Sequence, residues 1–552
     1  VPSDGDGPKP GAGPKRRAPS AASVPAAAGA ARPAARPAAL ALPAALALPA
    51  ALAALAALAS AALFLSREYA IAGVWGYSLD DSWIHAVIAR NFATGHGWSF
   101  NPGETTGAST GPLFTLLLSA FYALVGPSVW VSKGIGIACH ASASALAVLA
   151  SASALRAGRA QTIAARAWIP LLAGLLVATS PSLVWASVSG MEVPLYLLLL
   201  VAGLWLHFEG RGVAATVMWA LGVWVRPDGM LLAILAAAFG RGPSLLRRCA
   251  ALAAVLLPYV AFHYAVAQTP LPATVYTKAH VGAEPLAQLG KFLSTQRGLW
   301  GIPARIDEVS PHSPLLLIGL VVGALAGGRA LLLPGVYAAL FAIAFGLSSP
   351  NPGTQCRYVF PLLPVAMVLT TVALASLGPR VAKPFRAAAV AAGAVLLLAP
   401  QWISLPAAAE AHGWNVQNIE GMHGYLGRRL RDETAPSDRI ATNDIGAIAF
   451  MSRRYVVDTA GLASPRAPLP DLLTAYRPRL LAVFPSWYRD YARIDSVGGN
   501  LYFDDADGVN RYWGVYYVEL AQNTVVARDK MFVFERTPRG NPPPPGRPMA
   551  RN

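Results

Sequence analysis

Residues 76–112 read GYSLDDSWIHAVIARNFATGHGWSFNPGETTGASTGP, a polar, aromatic, glycine-rich segment placed directly after an apolar stretch at about 39–65. It opens on adjacent carboxylates, Asp80 and Asp81. Two carboxylates beside a bilayer are costly unless they face water and serve a purpose. An aspartate at the start of a helical run can cap it. The pair, with His85, Arg90 and His96 following, points further, to acid–base or ligand-orienting chemistry. Turns at Gly95, Gly97 and Asn101–Gly103 return Glu104 and the TTGASTGP stretch towards the membrane.

Outward from this loop the chain reads as membrane. Of its 552 residues 55% are hydrophobic and 13% charged, half the charged share of an ordinary soluble domain. Apolar runs fall at roughly 129–154, 167–184, 193–208, 213–225, 229–240, 249–267, 313–327, 330–347, 358–377 and 387–405. With the first they make about eleven spans. With the N-terminus inside, the inside loops hold Arg156, Arg159 and Arg166; Arg211; Arg241, Arg247 and Arg248; Arg329; and Arg380, Lys383 and Arg386. Every inside loop is then basic, as topology requires. This count needs residues 112–126, too short to span, to lie as an interfacial helix on the outer face. The short runs 213–225 and 229–240 read as a pair broken at Arg226-Pro227-Asp228-Gly229, with the polar turn lining a cavity.

The net charge of +16 comes from 44 basic against 28 acidic residues and serves topology; without a P-loop or RNA-binding motif, nucleic acid is not a partner. Cys139, Cys249 and Cys356 are far apart and suggest neither zinc nor disulfides. Residues 1–38, rich in Ala, Pro and Gly with a basic Lys15-Arg16-Arg17, read as a disordered cytoplasmic tail before an uncleaved first span. Residues 39–405 form the membrane domain, with a first outer loop at about 66–128. Residues 406–540 read as a small extracytoplasmic α/β domain, with strands in DRIATND, RRYVVDTAG and RPRLLAVFPS around the helix IGAIAFM; 541–552 read as a disordered end. The domain superficially suggests a nucleotide fold but lacks GxGxxG. Its aromatics Trp487, Tyr488, Tyr512 and Trp513 suit sugar stacking or a packed core. Trp75, Trp83 and Trp98 read as interfacial anchors.

The loop DDSWIHAVIARNFATGHGWSFNPGE…TGASTGPLFTLLLS resembles the first external loop of the GT-C superfamily of membrane glycosyltransferases, with bacterial arabinofuranosyltransferase-like members nearest in pattern. SGMEVPLYLLLL (189–200), VRPDGMLLA (225–233), PLPATVYTKAH (270–280), CRYVFPLLP (356–364) and NDIGAIAFMSRRYVVDTAGLASP (443–465) resemble further superfamily elements in the same order. The resemblance implies a mainly α-helical polytopic membrane protein of GT-C fold with a C-terminal α/β domain. It implies sugar transfer, of arabinofuranose or another sugar, from a polyprenyl-phosphate donor to a glycan or lipid acceptor at the outer face of a bacterial inner membrane, with inversion. It makes Asp80 or Asp81 the base, Asp80 being favoured. The leaving phosphate would need cationic or hydrogen-bonding groups. Arg226, Tyr276, Lys278, His280, Arg357 and Tyr358 are candidates, and His85, His96, Glu104, Glu192 and Asp228 are candidate substrate contacts. Asp80, Asp81 and His85 could together hold Mg²⁺ or Mn²⁺, though cationic side chains can replace a metal. The rival functions are a lipid or glycan transporter, which would show inverted repeats and charges deep within spans, and a non-catalytic assembly subunit.

Overall fold

The computed structural model describes residues 44–158, 168–272, 285–295, 312–348 except 327, 354–522 except 465 and 497, residue 524, and 529–544. Candidate ligands Tyr276, Lys278 and His280, the predicted tail 1–38 and residues 545–552 of the predicted tail 541–552 lie outside the described residues. Each predicted apolar run holds a helix. In chain order these are α1 (Ala44–Ala72), α2 (Asp80–Ala93), α3 (Pro112–Val125), α4 (Val129–Ala157), α5 (Trp168–Ala178), α6 (Pro181–Val188), α7 (Val193–Phe208), α8 (Gly212–Val223), α9 (Met230–Ala238) and α10 (Pro243–Ala267). There follow α11 (Pro285–Thr295), α12 (Leu315–Ala326), α13 (Gly328–Ser348), α14 (Leu362–Leu377) and α15 (Arg386–Asn418).

Among the described residues five helices are long and apolar enough to cross a membrane, or six if α5 and α6, bent by 55° at Thr179–Ser180, count as one span. Several others, including α7, α8, α9, α12 and α14, are apolar but shorter. The expected eleven full-length spans are therefore not reproduced by length alone, since a run of 12 residues such as α8 reaches only about 18 Å. α4 packs on α7, α1 and α5, and a single apolar core built on these helices and α14 holds the bundle together.

The helix that begins as α15 does not stop where the hydrophobic runs do. It continues through a π-helical turn, Ile419–Gly424, into α16 (Tyr425–Glu433), so that one rod joins the bundle to the α/β unit. That unit contains the expected strand–helix–strand: β1 (Arg439–Thr442), α17 (Ile445–Ser452) and β2 (Tyr455–Asp458), then α18 (Leu469–Tyr476) and β3 (Leu480–Val483). The C-terminal strands β4 (Arg493–Ile494), β5 (Leu501–Asp504), β6 (Asn510–Val518) and β7 (Met531–Pro538) complete a seven-stranded mixed sheet ordered β2-β1-β3-β7-β6-β5-β4. β1 pairs in parallel with β2 and β3, while β4 to β7 are antiparallel.

α2 decides how the two parts meet. Its residues Ser82 to Ala89 are all buried, and it packs against α3 on one side and α17 on the other. Trp83 and Trp98, expected as interfacial anchors, are buried packing residues at 2% and 8% exposure. Trp75 is exposed and stacks with Tyr69, near Trp130.

Candidate active site

A cavity of about 390 Å³ opens where the first loop, the α6–α7 turn, the α8–α9 break and the start of α14 converge. Three short local structures aim its polar groups. Ser189-Gly190 makes the turn before α7. Gly190 has φ +80, and a Cβ there would stand 2.4 Å from the Tyr77 ring, so only glycine fits. The turn sets Glu192 at the N-cap position of α7. Arg226 is extended, as a residue before proline must be, and the Pro227–Gly229 turn folds Asp228 back onto it. Gly111 lets the first loop lie against the same break, since a Cβ there would stand 2.7 Å from the Val225 carbonyl.

These turns bring the polar groups into one continuous chain. The Arg226 Nη1 donates to Glu192 Oε1 (2.9 Å), and its Nε and Nη2 donate to Asp228 (3.1 and 3.0 Å). His85 Nε2 stands 3.5 Å from Glu192 Oε2, and its Nδ1 shares a hydrogen bond of 2.8 Å with Thr115 Oγ1, which in turn meets Ser109 Oγ at 2.9 Å. Burial alone would raise the Glu192 carboxyl; the His85 hydrogen bond and the Arg226 charge outweigh it and hold the group at about 2. Across the cavity Arg357 donates from Nη2 to Asp81 Oδ2, and both arginines lie over the Tyr358 ring. The Arg357 Nε and Nη1 are buried and meet no hydrogen-bond partner among the described residues. Met230, Leu231, Leu271, Phe341 and Phe345 supply apolar lining to the same cavity, and the Phe345 ring packs near Tyr358 at 5.7 Å between centroids.

Asp81, His85, Glu192, Arg226, Asp228, Arg357 and Tyr358 thus line one cavity. Three candidates lie elsewhere. Asp80, favoured from the sequence, points the other way: its Oδ2 accepts from the Gly446 N–H (2.7 Å) and its Oδ1 from the Ala447 N–H (2.8 Å) at the start of α17. Burial and the nearby Asp444 charge push this carboxyl up. Asp444 in turn accepts from His423 Nε2 at 2.8 Å. His96 is exposed and bonds Thr94, because the Gly95 and Gly97 turns carry it off the cavity side. Glu104 accepts from the Tyr455 hydroxyl at 2.8 Å in a separate small cleft. Of the tail aromatics, Tyr512 and Trp513 are core residues at 0% and 5% exposure, and Trp487 is the exposed one.

A shared cation does not fit Asp80, Asp81 and His85. Their ligating atoms are taken by different partners, the α17 amides, Arg357, and Thr115 with Glu192. Among the described residues no group of three or more His, Cys, Asp or Glu is placed to hold a metal.

With the bundle, the cavity and the capping α/β unit described, the resemblance can be weighed against known structures. The chain covers 97% of ArnT from Cupriavidus metallidurans, which has been solved in the apo state and bound to undecaprenyl phosphate, with 86% of its own length, a TM-score of 0.52 and 13% identity. It matches the Archaeoglobus fulgidus oligosaccharyltransferase AglB, solved with an inhibitory peptide and a dolichol-phosphate, over 89% of this chain and 76% of that one, at a TM-score of 0.53 and 12% identity. The chain has the GT-C fold. At such identities the likeness is one of architecture. Residues 412–529 match a family model described as a domain of unknown function, DUF8728, and no curated protein matches in sequence. The family model begins at His412 in α15 and takes in α16, α17 and the sheet as far as β6.

The expectations from sequence missed Thr115 and Ser109, which fix the His85 ring, and Leu462, by which the α/β unit reaches the cavity wall. The first two lie in the quoted TGASTGPLFT stretch and were visible as polar residues flanking an apolar helix.

Proposed function

We propose that this protein is a glycosyltransferase that takes a sugar from a polyprenyl-phosphate donor and passes it to a glycan or lipid acceptor at the outer face of a bacterial inner membrane. The observation that carries the reading is the cavity itself. A carboxylate, Asp81, sits beside Arg357, whose buried Nε and Nη1 meet no hydrogen-bond partner among the described residues, and apolar side chains line much of the same cavity. Such a lining suits a polyprenyl chain, and buried cationic donors suit a phosphate that gains charge as it leaves. That one of the ArnT structures holds undecaprenyl phosphate, and one of the AglB structures a dolichol-phosphate, supports the same donor class.

In the reaction, Asp81 takes the proton of the acceptor hydroxyl as its oxygen attacks the anomeric carbon. The bond from that carbon to the phosphate oxygen breaks, and polyprenyl phosphate leaves towards Arg357. Tyr358 sits between the two guanidinium groups and keeps them in place. Arg226 is held by two carboxylates, so its role is to fix the Glu192 and Asp228 oxygens where sugar hydroxyls can donate to them. A single displacement inverts the anomeric centre. Tyr276, Lys278 and His280 would add further phosphate contacts from the outer loop, and arabinofuranose is one candidate sugar among those the resemblance leaves open. The α/β unit closes the cavity through Leu462 and helps to select the acceptor.

The test is transfer from a membrane extract of radiolabelled lipid-linked sugars by the purified chain. Label should move to acceptor, and the product should have inverted anomeric configuration. Movement of labelled lipid across vesicles without transfer would establish the transporter reading instead.

A further inference from the structure

Beneath the cavity, inside the bundle, three ionisable side chains meet with no exposure to solvent: Glu68 of α1, Lys133 of α4 and His412 of α15. The Glu68 Oε2 accepts from Lys133 Nζ (2.9 Å) and from His412 Nε2 (2.8 Å). None of the three touches the cavity. Charges inside a membrane domain are costly, and well-packed apolar side chains would join the same three helices at no less stability. The cluster must therefore be explained by what else it holds.

Its two remaining bonds answer that. Glu68 Oε1 accepts from the Gly76 N–H at 2.9 Å, and Lys133 Nζ donates to the Val188 carbonyl at 2.7 Å. Gly76 opens the loop that leads to Asp81, and Val188 ends α6 just before the turn that leads to Glu192. The same ammonium–carboxylate pair thus grips the root of each polar wall. Between the roots there is little slack. The Ser82 hydroxyl donates to the Ser189 carbonyl at 2.8 Å, and Tyr77, hydrogen-bonded to Ser132 at 2.6 Å, lies against the Gly190 turn. His412 adds the rod that carries the α/β unit.

We infer that Glu68, Lys133 and His412 form a positioning cluster, which fixes the spacing between the Asp81 and Glu192 walls and ties it to the rod. The inference rests on the cavity being the transfer site only for its consequence in catalysis; the positioning itself can be measured without transfer.

The experiment compares hydrogen exchange and transfer kinetics in the purified full chain, wild type and Glu68→Leu/Lys133→Met, which removes both charges together, and with them the acceptor of the Gly76 N–H and the donor to the Val188 carbonyl. A second pair at the opposite end of α4, Arg156→Gln/Glu209→Gln, serves as control for loss of an ion pair without a link to either loop. Exchange of residues 76–82 and 188–192 should rise together by about tenfold in the first variant, as loss of a buried hydrogen bond implies, and not in the control. The transfer kcat should fall by about tenfold or more with the donor KM little changed, as a misplaced wall predicts. Exchange at either segment no faster than in the control would overturn the inference, as would a rise spread evenly over the chain. Should the double variant not fold, Glu68→Gln/Lys133→Met is read at residues 188–192 alone, where the bond to the Val188 carbonyl is lost while the Gly76 N–H keeps an acceptor; exchange there no faster than in the control would equally overturn the inference. If exchange rises as stated while the wild type transfers no sugar from any lipid donor, the positioning stands and the transferase reading falls.

Discussion

The first turn of α2 carries Asp80 and Asp81 into two different regions of the molecule. Asp81 faces the cavity and pairs with Arg357, while Asp80 faces the α/β unit and receives the first amides of α17. Adjacent residues on a helix point about 100° apart, and here that divergence sends the two carboxylates to different partners. One helix end thus faces two ways, towards the cavity at Asp81 and towards the α/β unit at Asp80. Close approach is required on both sides: a Cβ at Gly111 would stand 2.7 Å from the Val225 carbonyl beside the cavity, and one at Gly446 would stand 2.2 Å from the Asp80 carbonyl at the docking face.

The comparison is sharpest in transfer rate. Asp81→Asn should lower kcat by about 10²–10⁴-fold, the usual worth of a positioned base. Donor binding should hold, because Arg357 remains. Next in size, Arg357→Ala should weaken binding of undecaprenyl phosphate by about 10–100-fold, the worth of a charge-assisted hydrogen bond. Titration of detergent-solubilised protein reads this directly. An unchanged affinity would move the phosphate site towards the outer loop with Lys278.

At the docking face the effects are on stability. Asp80→Ala leaves two α17 amides without their acceptor and should cost about 1–2 kcal/mol, in line with loss of a helix cap. Gly446→Ala should loosen the same contact by collision with backbone. Limited proteolysis between 434 and 470 would report both, and the cavity variants should leave that pattern unaltered.

The smallest effect is in pH. Burial raises the Asp80 carboxyl to about 7, with Asp444 adding to the shift. The His423 imidazole is buried, which lowers it, but its bond to Asp444 and the charges of Asp444 and Asp80 raise it overall. Both groups therefore bind protons more tightly folded than unfolded, and stability falls as pH rises through their folded values. Docking should be firmest near pH 5 and weaken steadily to pH 8, as read by melting temperature, and Asp80→Asn should flatten that slope. A melting temperature that rises over this window would contradict the assignment.

Much of this was legible in the chain. The apolar runs, the break at Arg226–Gly229 and the βαβ start of the tail follow from hydrophobic periodicity and turn residues, and the structure contains each. Seven of the candidate site residues meet in one cavity. What could not be read was direction. Nothing local says which face of α2 meets the α/β unit, so Asp80 was favoured over Asp81. Nor does it say that the glycine turns swing His96 and Glu104 outward. Strands β4 to β7 were missed because their half-buried patterns are set by pairing with one another and, for β7, with β3 far earlier in the chain. Glu68, Lys133 and His412 are single polar residues scattered over three apolar helices, and only packing brings them together.

The most direct test of the division between the two carboxylates measures binding of undecaprenyl phosphate and sugar transfer on the same preparations of Asp80→Asn and Asp81→Asn. Asp81→Asn should bind the lipid as the wild type does and transfer almost nothing, while Asp80→Asn should retain most transfer in whatever fraction stays folded. Wild-type transfer by Asp81→Asn, or its loss in fully folded Asp80→Asn, would contradict the account.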